Sequence, residues 1–360
     1  MPSKQQAASS NGSIVATEAA RRSPLAARSR PQPLLTDPFE IGGVEIANRV
    51  LLAPLAGIGN WFVRLQARRH GAGLAVSEMV SSHAIRHRNE RTMRELLTIH
   101  PDEHPVSIQL FGSDPEVMRE AASVVAAAGA DIIDLNMGCP VKKVRKTGAG
   151  AELLADPDLA VAVARAAVEG SGRPVTVKLR SGLVSGDRSG VELARRLVSE
   201  AGAAAIGFHP RSAAVGHKGE PDYALVRELV GAVEVPVVVS GGLASAAEAR
   251  RAYELSGADA VMIARGSFGY PWIFEELLGT RLEAPPRAEV AEELLWVIDR
   301  AEEHLGSERA ARYLRKFYPW YLSRLGVPRG EGAGLDRIED LSEVRDRVRE
   351  IAGRDLAASL

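Results

Sequence analysis

Cysteine is almost missing from this 360-residue chain, which holds one, Cys139. A lone thiol cannot close an internal disulfide, and no partner stands near it in sequence to complete a zinc site. One cysteine fits a reducing compartment, and the cytoplasm is the expected location. No apolar run is long enough to cross a bilayer, so no membrane span is expected. The hydrophobic core of a secretory signal is also missing, which argues against export. Aromatic residues are scarce at 5%, and neither sign of charge dominates, with 45 Lys and Arg against 46 Asp and Glu. Near-neutrality removes any whole-molecule attraction to a polyanion. Contact with nucleic acid would have to come from local basic patches.

What is present is length and pattern. The chain can bury a large core. Residues 1–36 read as a disordered tail, rich in Ser, Ala, Gln and Pro, with Lys4, Arg21, Arg22, Arg28 and Arg30 against one acid, Glu18. An Arg- and Ser-rich, acid-poor leader of this kind is also what an organelle transit peptide looks like. From residue 50, β-branched or apolar runs alternate with amphipathic stretches. The runs are 50–54, 74–78, 106–111, 131–136, 175–179, 204–209, 235–240 and 258–264. Helical spacing lies between them, around 60–70, 88–97, 114–128, 156–170, 189–201, 222–232, 244–256 and 270–279. Continuous apolar runs mark strands buried on both faces of a parallel sheet. Asp114-Pro115, Asp156-Pro157 and Ser245 supply helix starts. Eight such units predict an α/β fold, a (β/α)8 TIM barrel over residues 37–284. An open doubly wound sheet fits less well, because no Gly-x-Gly-x-x-Gly follows the first strand. Pro285-Pro286 breaks the pattern, and residues 285–352 read as a small C-terminal helical domain, with 353–360 as a tail.

Barrel active sites lie at the C-terminal ends of the strands. Here those ends carry Pro54-Leu55-Ala56, Glu78, Gln109, Asn136 with Cys139, Lys178 with Arg180, His209 with Arg211, Ser240-Gly241-Gly242 and Ala264-Arg265-Gly266. Each alone has a structural explanation, but polar groups at the same end of every unit point to a site. Gly241-Gly242 and Arg265-Gly266 follow strands seven and eight, where barrels commonly hold phosphate on backbone N–H groups. A phosphate there would set the rest of a ligand over the mouth, near Gln109, Lys178 and His209. Those donors suit a flat ring with carbonyls, such as a flavin. Cys139 belongs to a loop, flanked by Gly138 and Pro140, and a basic run of Lys142, Lys143, Arg145 and Lys146 follows it.

These residues resemble a known family, the tRNA-dihydrouridine synthases, in the bacterial branch where Met-Gly-Cys-Pro is followed by Lys-Lys-Val. The likeness spans residues 37–350. It includes Leu52-Ala53-Pro54-Leu55-Ala56-Gly57, Ser77-Glu78-Met79, 134–139 with Lys142-Lys143-Val144, Gly148-Ala149-Gly150, Val177-Lys178-Leu179-Arg180, His209-Pro210-Arg211 and 266–274. The resemblance implies an FMN-containing barrel that uses NADPH to reduce the C5=C6 bond of uridines in tRNA. It makes Cys139 the proton donor, a role that suits a thiol, and gives Asn136 the uracil ring. Pro54, Leu55, Ala56, Gln109, Lys178, His209, Ser240, Gly241, Gly242, Ala264, Arg265 and Gly266 would hold FMN, and Arg180 and Arg211 would face substrate. In residues 307–326, Arg309, Arg312 and Lys316 fall at spacings of three and four, a basic stripe on a helix. Arg312 and Lys316, with Lys142 and Lys143, are candidates for tRNA phosphates. Tyr313, Phe317, Trp320 and Tyr321 read as core of the small domain, with Pro319 bending or breaking the segment.

Three places depart from the family pattern. Ser240-Gly241-Gly242 stands for Asn-Gly-Asp, Gly59-Asn60 for Thr-Asp, and His209-Pro210-Arg211-Ser212 for His-Gly-Arg-Thr. Two other readings use the same residues: an FMN barrel acting on a free pyrimidine, as in dihydroorotate or dihydropyrimidine dehydrogenases, and a weakened paralogue that only binds tRNA. No metal is expected, and a monomer is.

Overall fold

The computed structural model describes residues 32–328 and 334–353. Residues 1–31 of the expected tail, 329–333 and 354–360 lie outside the described residues. Residues 32–36 of the same segment pack on the barrel. The Gln32 amide donates to the carbonyls of Tyr253 (2.9 Å) and Ala258 (3.1 Å), and Leu35 is buried.

An antiparallel hairpin, β1 (Phe39–Ile41) and β2 (Val44–Ile46), comes first. The strands β3 (Val50–Leu52), β4 (Leu74–Val76), the two-residue β5 (Val80–Ser81), β6 (Val106–Phe111), β7 (Ile132–Met137), β8 (Val175–Arg180), β9 (Ala205–His209), β10 (Val237–Ser240) and β11 (Ala260–Ile263) follow. All pair in parallel, in the order β4-β3-β11-β10-β9-β8-β7-β6, and β4 also pairs with β6. That last pairing closes an eight-stranded barrel, and β5 adds only a short extension beside β6. All eight expected strands form where expected. Asp114, Asp156 and Ser245 cap their helices, each side chain accepting from a backbone N–H of the first turn.

One expected helix differs. Around 88–97 the chain instead makes a helix at Ser82–Arg86 and a wide turn at Thr92–Leu96. Arg88 takes the left-handed conformation (φ 48°) and stops the first helix. The stretch between is too polar to offer an apolar face that could extend it.

Side chains alternate along each strand, so the barrel has two cores. Facing outward, residues such as Ile133, Leu135, Val177 and Phe208 pack against the helices. Facing inward at one end, Leu51, Leu74, Ile132, Ala205, Val238 and Ala260 fill the interior, and Ile41 and Ile46 of the hairpin plug it from below. Two and four residues further along β6 to β10, the inward positions turn polar: Gln109, Asp134, Asn136, Lys178, Arg180, His209 and Ser240. The functional end of the barrel is therefore the end away from the hairpin.

The C-terminal region forms helices Arg287–Leu305, Ser307–Leu314, Tyr318–Arg324 and Leu341–Gly353. They dock on the barrel helix Trp61–Arg69. Gln66 donates to the Tyr321 hydroxyl and to Glu293 (both 2.8 Å), and Trp320 stacks on Phe268 with centroids 4.3 Å apart. Phe317 and Tyr321 are buried, so the aromatics are core as expected. Pro319 lies in the first turn of the third helix, where a missing N–H costs nothing. The break leaves Lys316 beyond the end of Ser307–Leu314, so the basic residues do not share one helix as the spacing suggested.

Ile46→Ala removes buried methyls from the plug and should cost about 2–5 kcal/mol in denaturant unfolding. Ligand binding at the opposite end should be unchanged in the folded protein.

Candidate active site

A cavity of about 1200 Å³ opens at the C-terminal ends of the strands. Fourteen sequence-predicted residues line it: Pro54, Ala56, Gln109, Asn136, Cys139, Lys178, Arg180, His209, Arg211, Ser240, Gly241, Gly242, Ala264 and Arg265. Leu55 and Gly266 do not. Both are buried, Leu55 in the core against the helical domain and Gly266 against the Leu243 and Ala244 carbonyls of the loop after β10. Lys142 and Lys143 stand exposed on the turn of helix Lys142–Arg145, next to Cys139 but outside the cavity. Arg312 and Lys316 line a separate cleft of about 540 Å³ with Arg91, Arg94 and Arg309. There Lys316 Nζ donates to the Gly57 carbonyl (2.8 Å) and Arg312 pairs with Glu308 (2.9 Å).

The Cys139 loop is held from three sides. Asn136 Oδ1 accepts from the N–H groups of Gly138 (3.2 Å) and Cys139 (2.9 Å). Arg180 Nε donates to the Gly138 carbonyl (2.8 Å), and the Cys139 carbonyl accepts from Ala151 N–H (3.0 Å). Gly150 has φ 65°, and a Cβ there would stand 2.8 Å from the Cys139 carbonyl oxygen, so the Gly148-Ala149-Gly150 run lets the two segments touch. The Cys139 side chain remains half-buried on the cavity wall.

Below it lies a polar layer. Gln109 is fully buried, donates to Asp134 Oδ2 (2.6 Å) and accepts from Asn136 Nδ2 (2.9 Å). Thr176 donates to Asp134 Oδ1 (2.5 Å). Burial pushes Asp134 up to about 6, against the hydrogen bonds from Thr176 and Gln109 and the charge of Lys178. Lys178 Nζ donates to Ser240 Oγ (3.0 Å). Burial and then the neighbouring Arg180 bring this ammonium down to about 8. Ser240 thus supplies the hydrogen-bond partner of the lysine.

Positive charge gathers above this layer. Burial brings Arg180 down to about 10, with Arg211 adding to the effect. Arg180 donates to the carbonyls of Gly216 (2.8 Å) and Ser212 (3.2 Å), and Arg211 to Gly219 (2.7 Å). Both guanidiniums therefore brace the loop after β9 while they face the cavity. Burial, followed by Lys178, Arg180 and Arg211, holds His209 far below the usual histidine range, so it is neutral. A Cβ on Gly241 (φ 92°) would fall 2.3 Å from the His209 ring, so only glycine allows this approach. The Arg265 side chain is exposed on the rim and has no hydrogen-bond partner among the described residues.

Sequence reasoning missed His217, Met79, Tyr223, Glu248 and Arg251, all on the cavity wall. His217 stacks over His209 with centroids 5.8 Å apart, and burial, then Arg265 and the other cations, lowers its pKa. It sits in an irregular loop, where no periodicity marks direction. Met79 was inside a recognised motif, and its Sδ faces Asn136 Nδ2 at 3.6 Å. No cluster of metal-ligating side chains and no helix long and apolar enough to cross a membrane occurs among the described residues.

A family model described as dihydrouridine synthase (Dus) matches residues 51–352. The chain is 39% identical over 317 residues to tRNA-dihydrouridine synthase B of Pseudomonas aeruginosa, covering 86% of this chain and 94% of the relative. It is 36% identical over 290 residues to tRNA-dihydrouridine synthase B of Vibrio vulnificus, covering 79% and 89%. Among solved structures, histamine dehydrogenase from Rhizobium sp. 4-9 matches with a TM-score of 0.52 at 14% identity, over 79% of this chain and 51% of that one. The last is a likeness of fold alone.

Lys178 carries a testable linkage. Its folded pKa of about 8 lies below the ordinary 10.5, so the unfolded chain holds this proton more tightly. The stability contributed by this group therefore rises with pH between those values. Lys178→Met should melt at a higher temperature than wild type at pH 7, and the gap should shrink by pH 10. A variant less stable than wild type at pH 7 would overturn this account.

Proposed function

The chain belongs to the dihydrouridine synthase family, and on that premise we propose that it reduces specific uridines in tRNA to 5,6-dihydrouridine, with FMN as cofactor and NADPH as reductant. The observation that carries the reading is the convergence of Cys139, Asn136, Gln109, Lys178 and His209 on one cavity at the barrel mouth. We place the reaction in the cytoplasm.

The donor set suits FMN. A buried ammonium whose one hydrogen-bond partner among the described residues is a hydroxyl, with a glycine turn and the Arg265 guanidinium on the same cavity, describes a site built for an anionic ligand. Gly241, Gly242, Ala264 and Arg265 would hold the phosphate, and Gln109, Lys178 and His209 the ring, with Pro54 and Ala56 at its edge. Leu55 and Gly266 support these loops from the core. A flavin held there would supply hydride chemistry at uracil C6, with NADPH as the source of the electrons.

The chain's own residues do the rest. Cys139 holds the proton that C5 receives, its thiol serving as the general acid on the cavity wall. Asn136 orients the uracil through the second N–H of its amide, which faces Met79 Sδ while the first is held by Gln109 Oε1. Lys178 offers positive charge beside the ring, and neutral His209 accepts or donates without adding to that charge. Arg180 and Arg211 fix the cavity walls on which the substrate rests. A uridine in folded tRNA must leave its stack to reach this depth. Lys142 and Lys143 beside Cys139 hold the flanking phosphates, and Arg312 and Lys316 hold a second stretch of backbone.

Purified protein with FMN, NADPH and tRNA lacking the modification should yield dihydrouridine at a defined position, read by mass spectrometry. Cys139→Ala should slow turnover by about 10²–10⁴-fold and still bind tRNA. A yellow, reducible protein that leaves tRNA unmodified would redirect the search to free pyrimidines. Arg312→Ala and Lys316→Ala should each weaken tRNA binding and lower its salt dependence by roughly one unit of slope. Unchanged salt slopes would remove this cleft from the RNA path.

A further inference from the structure

We propose that Asp134 is a positioning residue: as the pure acceptor at one end of a buried hydrogen-bond relay, it sets which way the Gln109 and Asn136 amides point and so holds the Cys139 turn. The catalytic consequence rests on Cys139 being the proton donor. The relay does not depend on that reading.

The strands put the relay together. Gln109, Asp134 and Thr176 are register partners on β6, β7 and β8, side by side in the barrel interior. Two residues earlier on β7 the same inward face carries Ile132, an ordinary core residue. A carboxylate here is fully buried and makes no salt bridge among the described residues, since Lys178 bonds to Ser240 instead. Such a group is costly to bury, so packing alone does not explain it.

Its partners do. An ionised carboxylate can only accept. Its two oxygens take the Thr176 hydroxyl (2.5 Å) and Gln109 Nε2 (2.6 Å). The Gln109 amide must then turn its Oε1 toward Asn136, whose Nδ2 donates to it at 2.9 Å. Asn136 in turn points Oδ1 at the turn, accepting from Gly138 N–H (3.2 Å) and Cys139 N–H (2.9 Å). The far end is fixed as well, because backbone N–H groups can only donate. A flipped Gln109 would set its carbonyl against the carboxylate and its NH₂ against the NH₂ of Asn136. One polarity satisfies every group, and the acid at the base reinforces the direction that the backbone N–H groups require at the far end.

Asparagine at 134 can still accept from Gln109 through Oδ1 and donate to Thr176 through Nδ2. Leucine cannot accept at all. The chain has one cysteine, so alkylation by iodoacetamide reports on Cys139 alone and needs neither flavin nor RNA. In the purified full-length protein, Asp134→Asn should be alkylated within about twofold of wild type. Asp134→Leu should differ by roughly 3- to 10-fold, with kcat reduced more than KM is raised in the dihydrouridine assay. Gln109→Met, which cuts the relay in the middle, should match Asp134→Leu and decides the matter if the leucine variant does not fold. Wild-type alkylation rates in the folded Leu or Met variants would overturn the proposal. An Asn variant as altered as the Leu variant would also overturn it, assigning the effect to charge. If wild-type protein makes no dihydrouridine while the alkylation pattern holds, the functional reading fails and the relay stands.

Discussion

Closing eight parallel strands into a ring gives every strand one face that looks inward and has nowhere else to go. Everything at the site follows from that constraint. At the hairpin end the inward positions are Leu51, Leu74, Ile132 and Val238, and they make a dry core. One or two steps further, the same alternation brings Gln109, Asp134, Asn136, Lys178, His209 and Ser240 into a common space. Their side chains cannot swing out to solvent, so each must find its partner inside the ring.

The partners explain why the electrostatics are so uneven. Lys178 leans on a hydroxyl, Asp134 on a hydroxyl and an amide, and neither meets the other directly. Arg180 and Arg211 spend their guanidiniums on backbone carbonyls of the loop after β9. Positive charge therefore accumulates around the cavity while its hydrogen bonds serve the walls. That arrangement costs the fold stability and favours an anionic ligand, the usual trade between stability and function.

Much of this was legible in the chain. Doubly buried parallel strands read as continuous apolar runs, so all eight were visible, as were the Asp and Ser caps. Strand ends are local features too, and fourteen predicted residues do line one cavity. Other things were not legible. Leu55 and Gly266 lie in motifs that border the site, but position in a motif does not say which way a side chain points. Lys316 has helical spacing from Arg312, yet the helix ends before it. His217 sits in an irregular loop braced by Arg211 within it and by Arg180 from the neighbouring strand, a contact that only the closed barrel brings about.

Local chemistry marked out the elements and the candidate residues, because apolar period, capping and strand-end composition depend on near neighbours. Which residues would meet depended on closing the ring. Lys178 reaches Ser240 across 62 residues, and Gln109 reaches Asp134 across 25. The direction of the Gln109 and Asn136 amides depended on it as well. Burial removes water as an alternative partner, and only the assembled interior determines which donor faces which acceptor.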